Sequence, residues 1–275
     1  MRVASATKAR LLWVGLVLAG AASAHPAPPN VTLVALTEDG TLITFPAGHP
    51  GDASTARVTG ASGQLVGLDR RPANGRLYAL STAGDVYTVD LARGAATLVS
   101  TLTAPFNGGT RSGLDFNPKT DRLRLVGHDG QSLRVNVDNG ATAVDRTLAY
   151  AREDPHFGER PMIAATAYTN DVADAQTTEM FDLDSAHDLL VRQDPPNDGI
   201  LITVGPLGVH VPPEAGFEIV TGDAGGNRAF AAFASQLYEI DLHAGAATPL
   251  GTIGGPSSVI VGLTSAGPAS TGGAP

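Results

Sequence analysis

Apolar residues in this chain occur in short runs, and Gly, Pro, Asn or Asp separates most runs from the next. Residues 113–126 show the pattern most clearly, with the sequence Gly-Leu-Asp-Phe-Asn-Pro-Lys-Thr-Asp-Arg-Leu-Arg-Leu-Val. Apolar stretches flank a polar, Pro-containing turn here, which is typical of a strand, a turn and a second strand. Beyond residue 30 almost no segment keeps a helical period for long, so the sequence predicts an all-β protein.

The strand-turn-strand unit recurs along the chain, with copies at residues 67–80, 166–183 and 216–231. The equivalent positions Leu33, Leu77, Leu123, Met180 and Ala229 are separated by 44, 46, 57 and 49 residues. A period of about 40–50 residues with four strands in each unit is the signature of a β-propeller. We therefore predict a propeller. The alternative fold, a pair of β-sandwiches, would not require a constant period.

The candidate strands form five sets of four, which predicts five four-stranded blades. Counted in this way, the chain enters on the second strand of a blade and ends on an innermost strand, Val259–Leu263. We predict that this last strand pairs with the blade that begins at Thr32, which closes the ring without a free sheet edge. Residues 142–148 are a weaker strand candidate, and the longest interval contains an insertion, Ala151–Arg160, that predicts a projecting loop.

The N-terminal residues have the organisation of a secretory signal peptide. Three basic residues precede the apolar run 11–20, and Ala22-Ser-Ala24 fits the small-residue rule for cleavage. A membrane anchor, the alternative, needs about 18 or more apolar residues. We therefore predict a signal peptide at 1–24, a linker at 25–30, one propeller domain at 31–264 and a disordered, Gly- and Ser-rich tail at 265–275, in a protein that is secreted or periplasmic and not inserted in a membrane after cleavage.

Composition excludes several classes of protein. The chain has no Cys, which rules out disulfides and thiolate metal sites. Its net charge is -9, and -12 without residues 1–24, because three of the 18 basic residues and none of the 27 acidic ones lie there. This charge has the wrong sign for a protein that binds nucleic acid or an anionic membrane. We expect a monomer that binds a small ligand or a protein partner.

Acidic residues recur at one position of the innermost strand. Asp69, Asp115 and Glu218 occupy it in three units, with Ala167 and Thr264 as the equivalents in the other two. Innermost strands line the central channel of a propeller, so these three carboxylates are candidate ligands of a hard cation such as Ca²⁺. In the alternative structural interpretation, each acid accepts hydrogen bonds from backbone N–H groups of its own following turn.

Arg122 and Arg124 are candidate ligand-binding residues, together with Tyr168 and Asn170. Arg124 stands where the other units have Val34, Tyr78, Phe181 or Phe230, so its guanidinium needs a carboxylate or an anionic ligand. The structural alternative is a salt bridge with Asp115, Asp121 or Asp138, and the functional one is the binding of an anion or a sugar. A hairpin that closes at Asp129-Gly130 would place Arg134 on the opposite face of the sheet.

Other catalytic patterns are missing from the sequence. The seven histidines are scattered and form no recognised zinc motif, so we expect no zinc site. No Gly-x-Ser-x-Gly elbow occurs, and the Gly-rich segments at 107–109 and 222–226 open no helix that could hold a phosphate.

An ordered series of motifs resembles a known family. The series comprises Gly113-Leu-Asp-Phe-Asn-Pro118, Asp121-Arg-Leu-Arg124, Gln131-Ser-Leu-Arg-Val-Asn136, Ala167-Tyr-Thr-Asn170, Pro195-Pro-Asn-Asp-Gly199 and Gly205-Pro-Leu-Gly-Val209. Over residues 31–264 the chain is similar to the bacterial exported family catalogued as domain of unknown function 4394, although Arg70-Arg71 replaces the Phe-Asn or Phe-Arg style of that family's turns. The resemblance implies an exported repeat protein of propeller type, and it supplies no activity and no catalytic residues.

Two functions remain open on the sequence alone. The first is a non-enzymatic exported binding or scaffold propeller, which we favour. The second is a metal-dependent hydrolase or lactonase-like enzyme with a cation in the channel at Asp69, Asp115 and Glu218. Propellers support both functions, so the fold does not choose between them.

Overall fold

The computed structural model describes residues 31–222 and 225–267, and 21 strands within them form five sheets arranged as the blades of a propeller. The first blade is built from β1 (Thr32–Thr37), β2 (Thr41–Pro46), β3 (Ser54–Arg57) and the last strand, β21 (Ile260–Ser265). The second contains β4 (Leu65–Arg70), β5 (Leu77–Ser81), β6 (Asp85–Asp90) and β7 (Ala95–Thr101). The third contains β8 (Ser112–Asn117), β9 (Arg122–Gly127), β10 (Ser132–Val135) and β11 (Thr142–Val144).

The remaining two blades complete the ring. The fourth contains β12 (Ala149–Tyr150), β13 (Ile163–Tyr168), β14 (Met180–Asp184), β15 (Leu189–Gln193) and β16 (Ile200–Pro206). The fifth contains β17 (Gly216–Thr221), β18 (Asn227–Phe233), β19 (Gln236–Ile240) and β20 (Ala247–Thr252). Within the described residues the only helical element is a short 3₁₀ turn, Pro196–Asp198, and none is long and apolar enough to cross a membrane.

The innermost strands of the five blades contact one another in the order β21, β4, β8, β13, β17 and back to β21. The last strand pairs antiparallel with the first, with Ala35 opposite Leu263. The predicted five-bladed propeller and its closure by the C-terminal strand are therefore confirmed. Pairing across the two ends of the chain leaves the innermost position of the first blade filled and its edge protected.

The fourth blade has one strand more than predicted. The weak candidate at 142–148 gives only the short β11, and the chain then forms β12, which pairs parallel with β16 through Tyr150 and Leu201. The short strand therefore carries the chain from the edge of the third blade to the edge of the fourth. The insertion Ala151–Arg160 follows it directly as a series of turns.

The hydrophobic core is divided into five clusters, one between each pair of neighbouring blades. Between the second and third blades, for example, Tyr78 packs edge-on against Phe116 with 5.4 Å between ring centroids. Because both faces of each inner strand are covered, these strands contain almost entirely buried residues instead of an alternating pattern.

Glycines at the start of inner strands allow the blades to approach the axis closely. A Cβ at Gly113 would lie 2.4 Å from the backbone nitrogen of Thr166, and one at Gly216 would lie 2.6 Å from the Cβ of Leu263. Such distances are shorter than any real contact, so the small residue that opens the repeat is required by the packing of neighbouring inner strands.

The predicted ends of the domain lie partly beyond what is described. The signal peptide at 1–24 and the linker at 25–30 fall outside the described residues. At the other end β21 runs to Ser265, and Ala266 donates a backbone hydrogen bond to Thr32, so the ring extends slightly past residue 264. Residues 268–275 of the expected tail are not described.

Candidate functional site

Five equivalent positions near the axis are occupied by Asp69, Asp115, Ala167, Glu218 and Thr264. Each lies on an inner strand opposite a residue of the second strand of its blade, and these partners are Tyr78, Arg124, Phe181, Phe230 and Val34. The pairing confirms the equivalences that the repeat predicts, including those of Ala167 and Thr264.

The side chains at these positions accept hydrogen bonds from the backbone of the next inner strand around the ring. Four of the five make this bond, and Ala167 has no acceptor atom to make it. The donors and acceptors are Phe116 N–H to Asp69 (2.8 Å), Tyr168 N–H to Asp115 (3.2 Å), Ser265 N–H to Glu218, and Arg70 N–H to Thr264 (3.2 Å). The alternative in which each acid caps its own turn is therefore wrong, except for a second bond from Arg70 N–H to Asp69. The acids join neighbouring blades instead.

The three carboxylates also converge on one point. Ligand atoms of Asp69, Asp115 and Glu218 lie within 4.8 Å of one another, and the residues are only 2%, 6% and 1% exposed. Asp69 accepts a further hydrogen bond from the Thr264 hydroxyl (2.7 Å). The Glu218 Oε1 atom is buried and has no hydrogen-bond partner in the part of the chain that the structure describes. We call Asp69, Asp115 and Glu218 the channel acids.

Burial and mutual repulsion both oppose ionisation of the channel acids. Burial raises the pKa of Asp69 to about 8, and the charge of Asp171 adds to this effect. Burial likewise raises the pKa of Asp115 and of Glu218 well above the ordinary range, and the charge of Asp69 raises both further. Three carboxylates in one dry site need protons or a cation to balance their charge.

The donor set fits a hard cation. Carboxylate and hydroxyl oxygens are the ligands that Ca²⁺ takes, in sets of six to eight oxygens with water among them. The channel acids and the Thr264 hydroxyl supply such oxygens from four blades, and the unpartnered Oε1 atom of Glu218 has a free lone pair. The residues present are therefore suitable for Ca²⁺, which the sequence raises as a candidate cation.

Arg124 is buried beside the third and fourth blades, with 1% of its surface exposed. Its guanidinium donates to four side chains: the Asp145 carboxylate (2.6 Å), the Ser132 hydroxyl (2.9 Å), Asn197 Oδ1 (2.8 Å) and the Tyr168 hydroxyl (3.2 Å). The expected salt bridge exists, but its partner is Asp145 and not Asp115, Asp121 or Asp138.

Arg134 lies directly opposite Arg124 in the register of β9 and β10, so both side chains share one face. The prediction that they point to opposite faces is wrong. Arg134 makes two hydrogen bonds with Asp145, at 2.7 and 2.9 Å. Burial alone would raise the pKa of Asp145, but the guanidinium groups of Arg134 and Arg124 outweigh it and hold this pKa below its ordinary value.

A cleft of about 300 Å³ opens above this cluster, and we call it the cationic cleft. Its lining residues are Asn117, Lys119, Thr120, Arg122, Arg124, Arg134, Tyr168, Thr178, Pro196 and Asn197. Four of them are cationic and none is acidic, and the carboxylate that contacts them most closely is that of Asp145. The cleft therefore carries a net positive charge on a protein whose formal net charge is -9.

Three of the four predicted ligand-binding residues meet in the cationic cleft, namely Arg122, Arg124 and Tyr168. Asn170 is not part of it. Its amide oxygen instead accepts a hydrogen bond from Asn227 (3.0 Å), which joins the fourth blade to the fifth, and its amide nitrogen donates to the Thr177 carbonyl within the fourth blade.

A larger cleft of about 1020 Å³ lies between the fourth and fifth blades. Both of its arginines already pair with acids: Arg192 with Glu179 (2.9 Å) and Arg228 with Glu239 (2.8 Å). Its volume is suitable for a ligand, but its two arginines face three acids, Glu179, Glu239 and Asp241, so it offers less to an anionic ligand than the cationic cleft does.

Sequence reasoning missed several interactions. Arg71 bridges the second and third blades through Asp121 (2.7 Å) and Asp138 (2.7 Å), which explains the second arginine of the Arg70-Arg71 pair. The scattered histidines also hid a cluster, because His156 and His187 both contact Glu159. The only local signal for this cluster was the His156-x-x-Glu159 spacing inside the insertion.

Comparisons with known proteins bear on the fold. A search of curated proteins found no match. Among solved structures, a structural genomics protein of unknown function from Bacteroides thetaiotaomicron matches with a TM-score of 0.52 and 12% identity, over 73% of this chain and 53% of that protein. The chain thus spans about half of that protein, and the likeness concerns the fold alone.

Two further solved structures are more distant. An auxiliary nutrient binding protein from Bacteroides thetaiotaomicron has a TM-score of 0.43 and 14% identity, over 72% of this chain and 55% of that one. Virginiamycin B lyase from Staphylococcus aureus has a TM-score of 0.40 and 11% identity, over 80% of this chain and 69% of that one.

A family match covers the propeller from its second strand to its last. The family described as "Domain of unknown function (DUF4394)" matches residues 41–264, which include the channel acids and every residue that lines the cationic cleft. This range is well over half of the chain. The chain therefore belongs to the DUF4394 family.

Proposed function

We propose that this propeller is a non-enzymatic binding protein that holds a small anionic ligand in the cationic cleft. The observation that carries the proposal is the charge of the lining, which has four cationic side chains and no acidic one. Only Arg124 and Arg134 among the four are paired with a carboxylate, that of Asp145. A volume of about 300 Å³ is at the lower end of the range for small-molecule sites, so a small ligand fits better than a protein segment.

The four cations have different parts in binding. Arg124 uses its donors on protein groups and forms the floor of the cleft, where its charge is fixed in place. Lys119 is exposed, and Arg122 and Arg134 are partly exposed, so these three side chains can approach a ligand from the rim. The planar guanidinium of Arg122 is suitable for paired hydrogen bonds to a carboxylate or phosphate.

The lining favours binding over catalysis. It contains no His, Asp, Glu, Ser or Cys, and its remaining candidates for a base or nucleophile are Lys119, Tyr168 and two threonines. Burial raises the pKa of Tyr168, which keeps its hydroxyl protonated. The side chains that are present hold charge and donate hydrogen bonds, which is what recognition of an anion requires.

The test is a binding measurement by calorimetry with inorganic phosphate, citrate and glucuronate, and with glucose as the neutral comparison. We expect the anions to bind and glucose not to bind, and Arg122→Gln to weaken anion binding about tenfold, the effect of losing about 1.4 kcal/mol. Arg93→Gln, at an exposed arginine of the second blade, is the matched control and should change nothing. Equal binding by wild type and Arg122→Gln, or no anion binding at all, would overturn the proposal.

The enzyme alternative is favoured by one observation, the convergence of the channel acids. A hydrolase needs its substrate to reach the cation, yet these acids are at most 6% exposed. Where the inner strands begin, the channel also narrows to a cavity of about 10 Å³, roughly the room of one water molecule. We therefore propose that a cation bound by the channel acids would have a structural role, and catalysis remains the second candidate.

We further propose that the protein works outside the cytoplasm, as a secreted or periplasmic monomer. The support is the signal-peptide pattern of residues 1–24 and the absence of Cys from the sequence. N-terminal sequencing of the exported protein should find a new end at residue 25, and an uncleaved chain would contradict the proposal.

A further inference from the structure

On the edge of the fourth blade, His156 and Glu159 of the insertion Ala151–Arg160 meet His187 of the turn between β14 and β15. His187 Nε2 lies 2.7 Å from Glu159 Oε2, and His156 Nδ1 lies 2.9 Å from the same oxygen. All three ligand atoms lie within 4.8 Å of one another. We propose that His156, Glu159 and His187 bind a dication of the zinc class, at a site separate from the channel and from the cationic cleft.

The residue behind His187 prepares it to bind a metal. Asp184 is fully buried, and its Oδ2 atom lies 2.9 Å from His187 Nδ1. Its other oxygen accepts hydrogen bonds from the backbone N–H groups of Met162 and Ala186, both at 2.9 Å. A carboxylate held in this way fixes the proton of His187 on Nδ1 and turns the Nε2 lone pair outward, which is the usual arrangement behind a metal-bound histidine.

Hydrogen bonding alone satisfies the cluster poorly. Two ring nitrogens, His187 Nε2 and His156 Nδ1, converge on the single oxygen Oε2 of Glu159, while Asp184 already faces the other nitrogen of His187. A dication between the three groups would accept lone pairs from both imidazoles and from the carboxylate.

The surroundings hold the ligands in place. Asp154 accepts hydrogen bonds from the backbone N–H (2.6 Å) and hydroxyl (3.0 Å) of Thr203 on β16, and it also accepts one from His156 N–H. The rings of His156 and His187 are 4.7 Å apart, and Tyr150 packs against both. Because the hydrogen bonds of Asp154 and the packing of Tyr150 both anchor the insertion, His156 is in position before a metal binds.

The donor set selects the class of metal. Imidazole nitrogen with carboxylate oxygen is suitable for Zn²⁺ and its transition-metal neighbours, whereas Ca²⁺ and Mg²⁺ prefer oxygen alone. Ligand atoms around a tetrahedral zinc ion with bonds of about 2.0–2.1 Å lie roughly 3.3 Å apart. The half-exposed Glu159 carboxylate therefore needs to move outward only slightly to admit the ion. A fourth position stays open to water or to a ligand atom.

Binding at this point would fasten the insertion to the turn between β14 and β15. His156 and Glu159 belong to the insertion, and His187 belongs to that turn. The site thus links segments that otherwise meet mainly at the surface.

The experiment uses tag-free, full-length protein that has been freed of metal with a chelator. Calorimetry with Zn²⁺ should give one tight site per chain, and Co²⁺ should produce the intense visible absorption of tetrahedral coordination. We expect His187→Ala and His156→Ala each to weaken Zn²⁺ binding at least about tenfold and to abolish the Co²⁺ bands. His243→Ala, at a histidine whose side chain is 99% exposed, is the matched control and should leave both unchanged.

Asp184→Asn tests the positioning role, and loss of such a partner typically weakens metal binding about 10–100-fold. Because Asp184 is buried, its variant is checked for folding by circular dichroism, and His156→Ala keeps the test valid if that variant fails to fold. Zn²⁺ binding that is weak and equal in wild type, His156→Ala and His187→Ala would overturn the proposal, as would a site that Ca²⁺ occupies equally well.

Discussion

Arg124 shows how one buried cation can depend on several neighbours at once. Its partners come from the third blade, from the connection that follows β11 and from the 3₁₀ turn of the fourth blade. Arg124→Leu would leave the hydroxyls of Ser132 and Tyr168 and the amide oxygen of Asn197 without this donor. Asp145 would keep only Arg134.

We predict that Arg124→Leu lowers the free energy of unfolding by about 3 kcal/mol, the lower end of the cost of breaking a buried ion pair. Arg134→Leu should cost only about 1 kcal/mol, because Arg134 is 37% exposed and water replaces part of its interaction. Urea denaturation of both variants checks the difference. Equal losses would mean that Arg124 is no more important to the fold than its exposed neighbour.

A second residue-scale prediction concerns Asp182, which is fully buried. Among the described residues no group makes a hydrogen bond of good geometry to its carboxylate, although the Thr166 hydroxyl is near enough to oppose the effect of burial on its pKa. Burial raises its pKa to about 7 from an ordinary 3.8. The folded protein therefore binds more protons than the unfolded chain between these pH values, so the contribution of Asp182 to stability falls as pH rises through this window. The full loss is at most about 4 kcal/mol.

Asp182→Asn carries no titrating group at this position, so we expect it to be more stable than wild type at pH 8 and to lose that advantage near pH 4.5. The measurement is urea denaturation of both proteins at the two pH values, which cancels the titration of all other groups. An Asn variant that is less stable than wild type by the same amount at both pH values would show that Asp182 is ionised and partnered.

The channel acids could be predicted from the sequence because the repeat places Asp69, Asp115 and Glu218 at equivalent positions on three of the five inner strands. The residues beside Arg124 could not be predicted, because their positions depend on one turn. The sequence predicts a two-residue turn at Asp129-Gly130, but Gly127 pairs with Gln131 and three residues form the loop. Gly130 has a φ of 87°, as such loops require. One residue of slip reverses the faces of the strand and brings Arg134 beside Arg124.

At the scale of elements, the inner strands are set by the space between blades. Gly113 is the clearest case, since a Cβ there would lie 2.4 Å from the backbone nitrogen of Thr166. A backbone atom cannot move aside as the end of a flexible side chain could. We predict that Gly113→Ala destabilises the fold by about 1–3 kcal/mol, the usual cost of overpacking. Thermal denaturation measures the loss.

Gly226→Ala is the control for this prediction, because among the described residues no atom lies within 4 Å of a Cβ at that position. It should leave the melting temperature nearly unchanged. If both alanine variants melt together with wild type, close approach of the inner strands is not what selects glycine at the start of the repeat.

Element boundaries were predictable where apolar runs are long, as in β8 and β9, and less so in the fourth blade. The short β12 has only two residues, too few for any periodicity, and its parallel pairing with β16 is fixed by the path of the chain between blades. The His156 and His187 cluster escaped for a related reason: the residues are 31 positions apart, and only the fold of the insertion brings them together.

At the scale of the whole molecule, the period of the sequence predicts both the number of blades and the pairing of β21 with β1. Closure has a chemical consequence, because β21 supplies Thr264 to the channel and Ser265 to the hydrogen bond with Glu218. The ring of side-chain bonds around the axis therefore passes through the junction between the two ends of the domain. A cation in the channel would be held by the channel acids and Thr264, which come from four blades, and would strengthen the ring.

We predict that millimolar Ca²⁺ raises the melting temperature of chelator-treated protein. An ion at 100 times its dissociation constant stabilises the folded state by about 2.7 kcal/mol, which is roughly 5–10 °C for a domain of this size. Glu218→Gln removes a charge from the channel with little change of shape, so it should reduce the shift strongly. It should leave stabilisation by Zn²⁺ at His156, Glu159 and His187 intact.

His187→Ala serves as the reciprocal control, because it should abolish the zinc effect and keep the calcium effect.

The alternative to a cation is that the channel acids hold protons, and it makes the opposite prediction for wild type. Ca²⁺ would then have no effect on the melting temperature. Stability would fall as pH rises through the raised pKa of Asp69, about 8. The reason is that the folded state binds these protons more tightly than the unfolded chain does and would have to release them. Melting curves at pH 6 and pH 9, each with Ca²⁺ and with chelator, distinguish the two. A calcium shift that grows with pH identifies a cation site, since deprotonated carboxylates bind the ion best, whereas a calcium-independent loss of stability at pH 9 identifies shared protons.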